Sequence, residues 1–422
     1  MKKILVLAYA ISPTKGSEYS VAWNYVTNMS IENELVVLYG MSGDHMGEVD
    51  EIEQLNANNP IKNVKFVPVL PNKLANLFNS LNKKNVFVYT FYFAYTVWHK
   101  QVYKVAKELI QHEDFDLIHF VGPIGYREPG YLWKLPLPYI WGPIGGTNNL
   151  SPQLLPALNL QGIAKLGFRT IANTIQLHFK HRIKKAIKRC DVLLTATMEN
   201  KYVVDRIFKV NSIYLPENGI TIAIKPKKRK TDTNKIILVW IGSIDERKAL
   251  ITLLKALVLV KDINKVELHV VGDGPLKSKM EIYAKNNKIS DSIIWHGKVT
   301  REKVFDILIN ADLHIITSLT EANTTIIWEA MSVGVPTMTL DHCGMHDTIC
   351  DSCGIKIPIV SYKQVLRELA TKIDMLCHNP DKIKKLSEGT VECAEKYTWD
   401  KRVDFFNEMY NIAVENFKLR RK

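Results

Sequence analysis

Two glutamates, Glu321 and Glu329, stand eight residues apart within the stretch Ser318–Pro336. That stretch reads as a strand ending at Ser318, a loop carrying Glu321, and a helix that opens near Thr324. The free N–H groups and the dipole of a helix start form an anion site, to which the hydroxyls of Thr324 and Thr325 add donors. An ionised glutamate only accepts hydrogen bonds, so Glu321 suits the hydroxyl hydrogens of a polyol, while a phosphate would be repelled. At about 1.5 Å per residue, Glu329 lies about 12 Å further along. Two hydroxylated groups flanking a diphosphate, a sugar and a ribose, fit that offset. Two solvated helix carboxylates fit it as well, and spacing alone leaves both readings open.

Strands must bring such residues to one edge. Short β-rich runs recur at Ile4–Tyr9, Leu35–Tyr39, Val64–Val69, Leu117–Val121, Tyr139–Trp141 and Val192–Thr197. Helical patterns separate them, the first starting near Glu18, so the sheet is parallel and covered on both faces. A polar, basic stretch around Lys225–Lys230 and Thr231–Asn234 then reads as a linker. The pattern restarts at Ile236–Ile241, Val266–Val271, Ile293–Trp295, Leu313–Thr317 and Pro336–Leu340, with a helix over Val304–Ile309 capped by Thr300. The expectation is two doubly wound α/β domains. Ligands of such sheets bind beyond the carboxyl ends of strands, here in a cleft between the domains.

At this point the chain resembles a known family. Glu321 and Glu329 form the Glu-x7-Glu pattern of retaining glycosyltransferases with the two-domain GT-B fold, the group often called family 4, and the run Glu329–Pro336 continues that motif. Gly242, Ser243, Arg247 and Lys248 are similar to the family's glycine-then-basic segment, and Gly272-Asp-Gly274-Pro-Leu276 to its Gly-x-Gly-x-Leu turn. Tyr397-Thr-Trp399 and the helix after it resemble the C-terminal segment that crosses back onto the first domain. The resemblance implies an acceptor-side domain over 1–212, a linker over 213–235, a nucleotide-sugar domain over 236–396 and a returning helix over 397–422. By the same resemblance, Arg247, Lys248, Asn323, Thr324, Thr325 and Gly16 bind the donor diphosphate, Glu329 the ribose, and Glu321 the transferred sugar. Gly242, Ser243, Gly272, Gly274 and Gly297 belong to donor-site loops, with the base near Trp295–Val299. No metal and no cofactor are expected beyond a UDP- or GDP-sugar, because fixed cations meet the leaving diphosphate.

The first domain carries Lys15-Gly16-Ser17-Glu18 where relatives often have Gly-Gly-x-Glu, and His119-Phe-Val121 where many have His-x-His. His119 is read either as a catalytic residue or as a packed strand-end residue. Other signals are weighed apart from the resemblance. Asp114-Phe-Asp116 has the spacing of a metal-binding Asp-x-Asp but precedes a buried strand. Gly272-Asp-Gly274 lacks the third glycine of a dinucleotide fingerprint. Cys343, His346, Cys350 and Cys353 could ligate zinc or stand as free thiols.

The chain has 422 residues and a net charge of +13, which suits a nucleic acid, an anionic membrane or a phosphorylated substrate. The surplus is local: residues 161–189 carry +8, 225–230 carry +5 and 418–422 carry +4, all without an acid, and the rest is net negative. That argues against nucleic acid. Within 161–189, Ala164, Phe168, Ile171, Ile175, Phe179, Ile183 and Ile187 make one apolar helical stripe, which either packs on its own domain or docks on an anionic bilayer. The six cysteines point to a reducing cytoplasm. The apolar run after Met1 is short and lacks a small-residue cleavage site, so it reads as a strand and not as a signal peptide. The thirteen-residue uncharged run Val86–Trp98 falls short of the roughly 20 residues of a spanning helix. The resulting expectation is a cytoplasmic, retaining, metal-independent glycosyltransferase at the inner face of the plasma membrane. It would move a sugar to a glycan or lipid-diphosphate acceptor in bacterial surface polysaccharide biosynthesis. A sugar-nucleotide epimerase and a basic nucleic-acid-binding protein are the alternatives.

Overall fold

Runs such as Ile4–Ala8, completely buried with no polar alternation, can only be strands covered on both faces. The computed structural model describes residues 1–16, 18–83, 90–220 and 235–421; Ser17, the basic run 225–230, the rest of the linker stretch 221–234, residues 84–89 and Lys422 lie outside them. The first sheet contains β1 (Lys3–Ala8), β2 (Glu34–Tyr39), β3 (Val64–Pro68), β4 (Leu117–Gly122), β5 (Tyr139–Ile144), β6 (Val192–Thr195) and β7 (Ile213–Tyr214). Their order is β3-β2-β1-β4-β5-β6-β7, with Ile4 of β1 opposite Leu35 on one side and Leu117 on the other, all parallel. The second sheet contains β8 (Ile236–Ile241), β9 (Val266–Val271), β10 (Ile293–Gly297), β11 (Leu313–Ile316), β12 (Thr337–Leu340) and β13 (Gly354–Ile357), in the order β10-β9-β8-β11-β12-β13. Each order reverses beside the first strand of its sheet, at β1/β4 and at β8/β11. These are topological switch points, where doubly wound sheets open a crevice.

The period-two geometry of a strand sends alternate residues to opposite faces. Leu5, Leu7, Val36 and Leu38 therefore pack with Trp98 and Trp141 on one face, while Ile4, Val6, Leu35 and Val37 pack with Trp399, Phe406 and Tyr410 on the other. The second sheet sorts likewise: Leu238, Trp240, Leu268 and Leu313 face one way, and Val239, Val271 and Ile316 face Trp328.

The chain divides into two units, 1–147 with 175–218 and 399–422, and 148–174 with 219–398. Segment 148–174 lies inside the stretch 1–212 that reads as one domain in the sequence, yet it groups with the second unit, because Leu154 and Ala157 enter that unit's core. The last helix, Trp399–Arg421, belongs to the first unit. Its Tyr410 hydroxyl meets the Tyr25 hydroxyl at 2.5 Å, and the Arg402 guanidinium donates to the Pro216 carbonyl at 2.6 Å.

Helix starts follow their caps. Thr300 accepts from the Lys303 N–H and opens helix Arg301–Ile309. The basic segment 161–189 forms two helices, Leu160–Phe179 and His181–Arg189, broken at the extended Lys180. The expected single stripe is thus divided: Ile183 and Ile187 are buried, whereas Phe168, Ile171, Ile175 and Phe179 are 52–76% exposed. Arg182 pairs with Glu128 and Arg189 with Asp191, so the basic patch is partly neutralised by its own fold. Among the described residues no helix is long and apolar enough to cross a membrane. Val86–Tyr89 of the uncharged run lie outside those residues, and its remainder starts helix Thr90–His112.

Candidate functional site

The crevice of the second sheet is flanked by the loops that leave β8 and β11. The β8 loop is held by its own backbone: the Lys248 N–H donates to the Asp245 carboxylate at 2.8 Å. It is also tied to the β11 loop, since the Leu319 N–H donates to the Arg247 carbonyl at 2.8 Å. The Thr317 hydroxyl donates to the Lys248 carbonyl at 3.0 Å and accepts from the Trp240 indole at 3.1 Å. These bonds fix where Arg247 and Lys248 leave the backbone.

Both cations converge on one oxygen. Glu321 Oε2 accepts from Arg247 Nη1 at 2.6 Å and from Lys248 Nζ at 2.7 Å. Burial raises the pKa of the Glu321 carboxyl, but Lys248 and Arg247 outweigh that and bring it below the ordinary value, so the group is ionised at neutral pH. Lys248 and Glu321 are nearly enclosed, at 13% and 14% side-chain exposure, whereas Arg247 retains 34%. The site therefore holds net positive charge and one exposed guanidinium, which is the arrangement an anion would enter.

Glu329 sits on helix Thr325–Ser332 and pairs with Arg301 at 3.1 Å. Burial raises its pKa more than Arg301 lowers it, so it lies above the usual glutamate value. Thr324 is the N-cap residue of that helix, and its side chain makes no capping hydrogen bond. Its hydroxyl borders the crevice together with Lys248, Thr317 and Ser318. Asn323 is buried in the same loop.

The glycines act through close backbone approach. Gly272 has φ +131°, and a Cβ there would lie 1.9 Å from the Gly242 carbonyl oxygen. The Gly272 N–H donates to the Gly297 carbonyl at 2.8 Å, and the Gly242 N–H to the Val271 carbonyl at 3.0 Å. Gly242, Gly272 and Gly297 thus meet at the carboxyl ends of β8, β9 and β10. A Cβ on Gly274 would come within 2.6 Å of the Ile244 carbonyl oxygen, which leaves Ser243 in a tightly packed turn between Gly242 and Ile244.

Two supports of the site carried no signal in the sequence. The His342 imidazole donates from Nε2 to the Ser318 carbonyl at 2.9 Å. The Gly344 N–H donates to the Ala322 carbonyl at 2.9 Å, at a place where a Cβ would strike Asn323. Arg301 was also missed as the partner of Glu329, although the cap at Thr300 located its helix.

The residues of the first unit are placed differently. Gly16 follows β1 with open space around its Cα, in a loop held by the Ser12 hydroxyl, which accepts from the Thr14 and Lys15 N–H groups. His119 is completely buried in β4. Its Nδ1 meets the Tyr25 and Tyr410 hydroxyls at 3.0 and 3.1 Å, and its Nε2 meets the Gly142 carbonyl at 2.9 Å. Burial brings its pKa down to about 4. A ring sealed from solvent with both nitrogens engaged cannot touch a substrate, so the catalytic reading of His119 gives way to the packed one. Asp116 of the Asp-x-Asp spacing accepts the Lys3 N–H at 2.7 Å, tying the start of β4 to that of β1.

Residues 221–392 match the family model of glycosyl transferases group 1. The chain is 25% identical to protein CapJ of Staphylococcus aureus over 60% of its own length, and 26% identical to an uncharacterized glycosyltransferase of Haemophilus influenzae over 52%; each match spans 61% of the relative. Among solved structures, Anabaena Alr3699/HepE in complex with UDP superposes with a TM-score of 0.63 at 13% identity, covering 97% of this chain and 100% of that one. The lipopolysaccharide outer core galactosyltransferase WaaB superposes with a TM-score of 0.61 at 16% identity, covering both chains completely. The two-sheet architecture is the GT-B fold.

Proposed function

From a second unit that carries a glycosyl transferases group 1 domain, we propose that this protein is a retaining, metal-independent glycosyltransferase acting on a UDP- or GDP-sugar. The observation that carries the reading is Glu321, a single carboxylate gripped by Arg247 and Lys248 beside a helix start at the switch point of the second sheet. When a donor enters, the two cations turn from Glu321 to the diphosphate, and the released carboxylate accepts the hydroxyls of the sugar. The charge that grows on the leaving diphosphate is met by Arg247, Lys248 and the N–H groups and hydroxyls at Thr324 and Thr325. Those fixed cations do the work a divalent ion does elsewhere. Glu329 takes the ribose hydroxyls.

In the proposed reaction the bond from the anomeric carbon to the diphosphate oxygen breaks, and the bond to the acceptor oxygen forms on the same face. The acceptor proton passes to the departing phosphate oxygen. Glu321 is assigned the sugar hydroxyls once its cations turn to the diphosphate, a positioning role and not that of a nucleophile. The UDP held by Alr3699/HepE supports a uridine donor, and the likeness to the lipopolysaccharide outer core galactosyltransferase WaaB supports a glycan or lipid-linked acceptor in bacterial surface polysaccharide biosynthesis. The domain roles follow: the first unit takes the acceptor and the second the donor. The exposed apolar residues of helix Leu160–Phe179, flanked by Lys165 and Arg169, support peripheral attachment to the inner face of the plasma membrane.

The test is incubation with UDP- and GDP-sugars, with and without glycan acceptors, and assignment of the product's anomeric configuration by NMR. A retained configuration in an acceptor-dependent product is expected. An inverted product would overturn the same-face mechanism, and an epimerised donor formed without acceptor would overturn transfer itself.

A further inference from the structure

Three cysteine sulfurs from two separate segments converge in the second unit. Cys350 and Cys353 lie between helix Cys343–Thr348 and β13, and Cys393 lies in the last turn of helix Pro380–Ala394. Cys350 Sγ is 3.1 Å from Cys353 Sγ and 2.8 Å from Cys393 Sγ, and all three sulfurs lie within 4.8 Å of one another. Among the described residues, no other histidine, cysteine, aspartate or glutamate joins this group. The set Cys343, His346, Cys350 and Cys353, weighed in the sequence as zinc ligands or free thiols, is not assembled as a whole. Cys343 Sγ sits against His342 Nδ1 at 3.3 Å, and His346 turns to Asp341 at 2.6 Å; only Cys350 and Cys353 of that set come together.

Ordinary packing treats a thiol as a small hydrophobe and gives no reason for three sulfurs to seek one another. A disulfide would account for two of them and leave the third. The polar surroundings also point to ligating sulfur. The Cys350 N–H donates to Cys353 Sγ at 3.1 Å, and the Ser352 hydroxyl lies 3.1 Å from Cys350 Sγ; hydrogen bonds of this kind orient metal-bound ligands. A tetrahedral zinc site with zinc–sulfur bonds of about 2.3 Å holds its sulfurs roughly 3.8 Å apart. The two close pairs reach that spacing if they open by about 1 Å or less, well within a side-chain rotation.

We propose that Cys350, Cys353 and Cys393 bind one soft divalent cation of the zinc class, with water in the fourth position. On binding, three thiols release three protons to solvent and become thiolates around the ion, and three sulfur donors select zinc over magnesium or calcium. The ion ties the 350–353 turn to helix Pro380–Ala394. It uses no residue of the Glu321 site, so its test is independent of the proposed transferase activity.

The full chain is purified under reducing conditions, its metal content is measured by elemental analysis, and the metal-free protein is titrated with Zn2+ and Co2+. One ion per chain is expected. The cobalt form should show a sulfur-to-cobalt charge-transfer band and the intense visible absorption of a tetrahedral site. Both should vanish in Cys350→Ser and Cys393→Ser and persist in Cys343→Ser and Cys377→Ser. Cys350 is only partly buried, so Cys350→Ser carries the test if Cys393→Ser fails to fold. A wild-type chain without the cobalt–sulfur band would overturn the proposal. So would a band that survives Cys393→Ser, or a Cys350–Cys393 disulfide found by peptide mapping of a chain that takes up no metal.

Discussion

Glu321 Oε2 carries two cations on one atom, at 2.6 and 2.7 Å, and a donor diphosphate would compete for the same pair. That competition separates affinity from turnover. In Glu321→Gln, UDP should bind at least as tightly as in the wild type, measured by calorimetry, while sugar transfer collapses. Weakened UDP binding in Glu321→Gln would contradict the assignment of this carboxylate to the sugar. Lys248→Ala removes charge from the diphosphate, and kcat/KM should fall about 10²- to 10³-fold, which is roughly 3–4 kcal/mol of transition-state stabilisation; a loss under tenfold would contradict its role. Folding should persist, since Arg247 still pairs with Glu321. The two glutamates were legible in the sequence from their eight-residue spacing, whereas Arg247 and Lys248 stood out only through the family resemblance. Arg301 and His342 were not legible, because their partners Glu329 and Ser318 lie 28 and 24 residues away and no periodicity connects them. His119 shows the converse: a histidine at a strand end looks reactive until Tyr25, Tyr410 and Gly142 close over its ring.

At the scale of elements, helix Leu160–Phe179 presents Phe168, Ile171, Ile175 and Phe179 to solvent while Leu166 and Leu177 pack inward. An exposed apolar row beside lysine and arginine is what an anionic bilayer would bury. The wild-type chain should therefore float with vesicles containing anionic lipid and release as salt is raised. Phe168→Glu with Ile175→Glu should abolish flotation, as both side chains are more than half exposed. Flotation unchanged in the double variant would exclude this helix as the contact. The strands themselves were well marked in the sequence: Ile236–Ile241 and Val266–Val271 have the same limits in the structure, because buried parallel strands are continuous apolar runs. Ile213–Tyr214 and Gly354–Ile357 escaped notice. Both are short edge strands, partly exposed, with too few apolar residues to form a run. The break at Lys180 was equally hidden, since the helical period of the stripe continues across it.

Across the whole molecule, three fully buried histidines bear on acid stability. Burial lowers His99 to about 3, His119 to about 4 and His314 to about 3. Unfolded, each returns to a value near 6.5. Below that pH the unfolded chain binds protons that the folded chain refuses, so stability rises with pH between about 4 and 6.5 and is lost as pH falls through that window. Each histidine contributes on the order of 3 kcal/mol to the loss at pH 4. Chemical unfolding between pH 7 and pH 5 should show this slope, and His99→Leu should flatten it by one proton, because neither ring nitrogen of His99 has a hydrogen-bond partner among the described residues. An unchanged slope in that variant would remove His99 from the account. The division into units was the part of the molecule least legible in the sequence. Nothing in the sequence marks segment 148–174 off as part of the second unit, and only its packing partners show to which core it belongs.

The first unit draws its core from three stretches of chain, the last of them beginning at Trp399. During synthesis its sheet strands emerge early and helix Glu18–Met29 covers part of the face carrying Ile4, Val6, Leu35 and Val37, but Trp399, Phe406 and Tyr410 complete that cover only when the end of the chain leaves the ribosome. The second unit, whose segments end at Thr398, has left before them. The order of completion is therefore the reverse of the order of translation, with the second unit closing first. A chain stopped before Trp399 would leave the first unit with an incompletely covered apolar sheet face, the natural target of a chaperone.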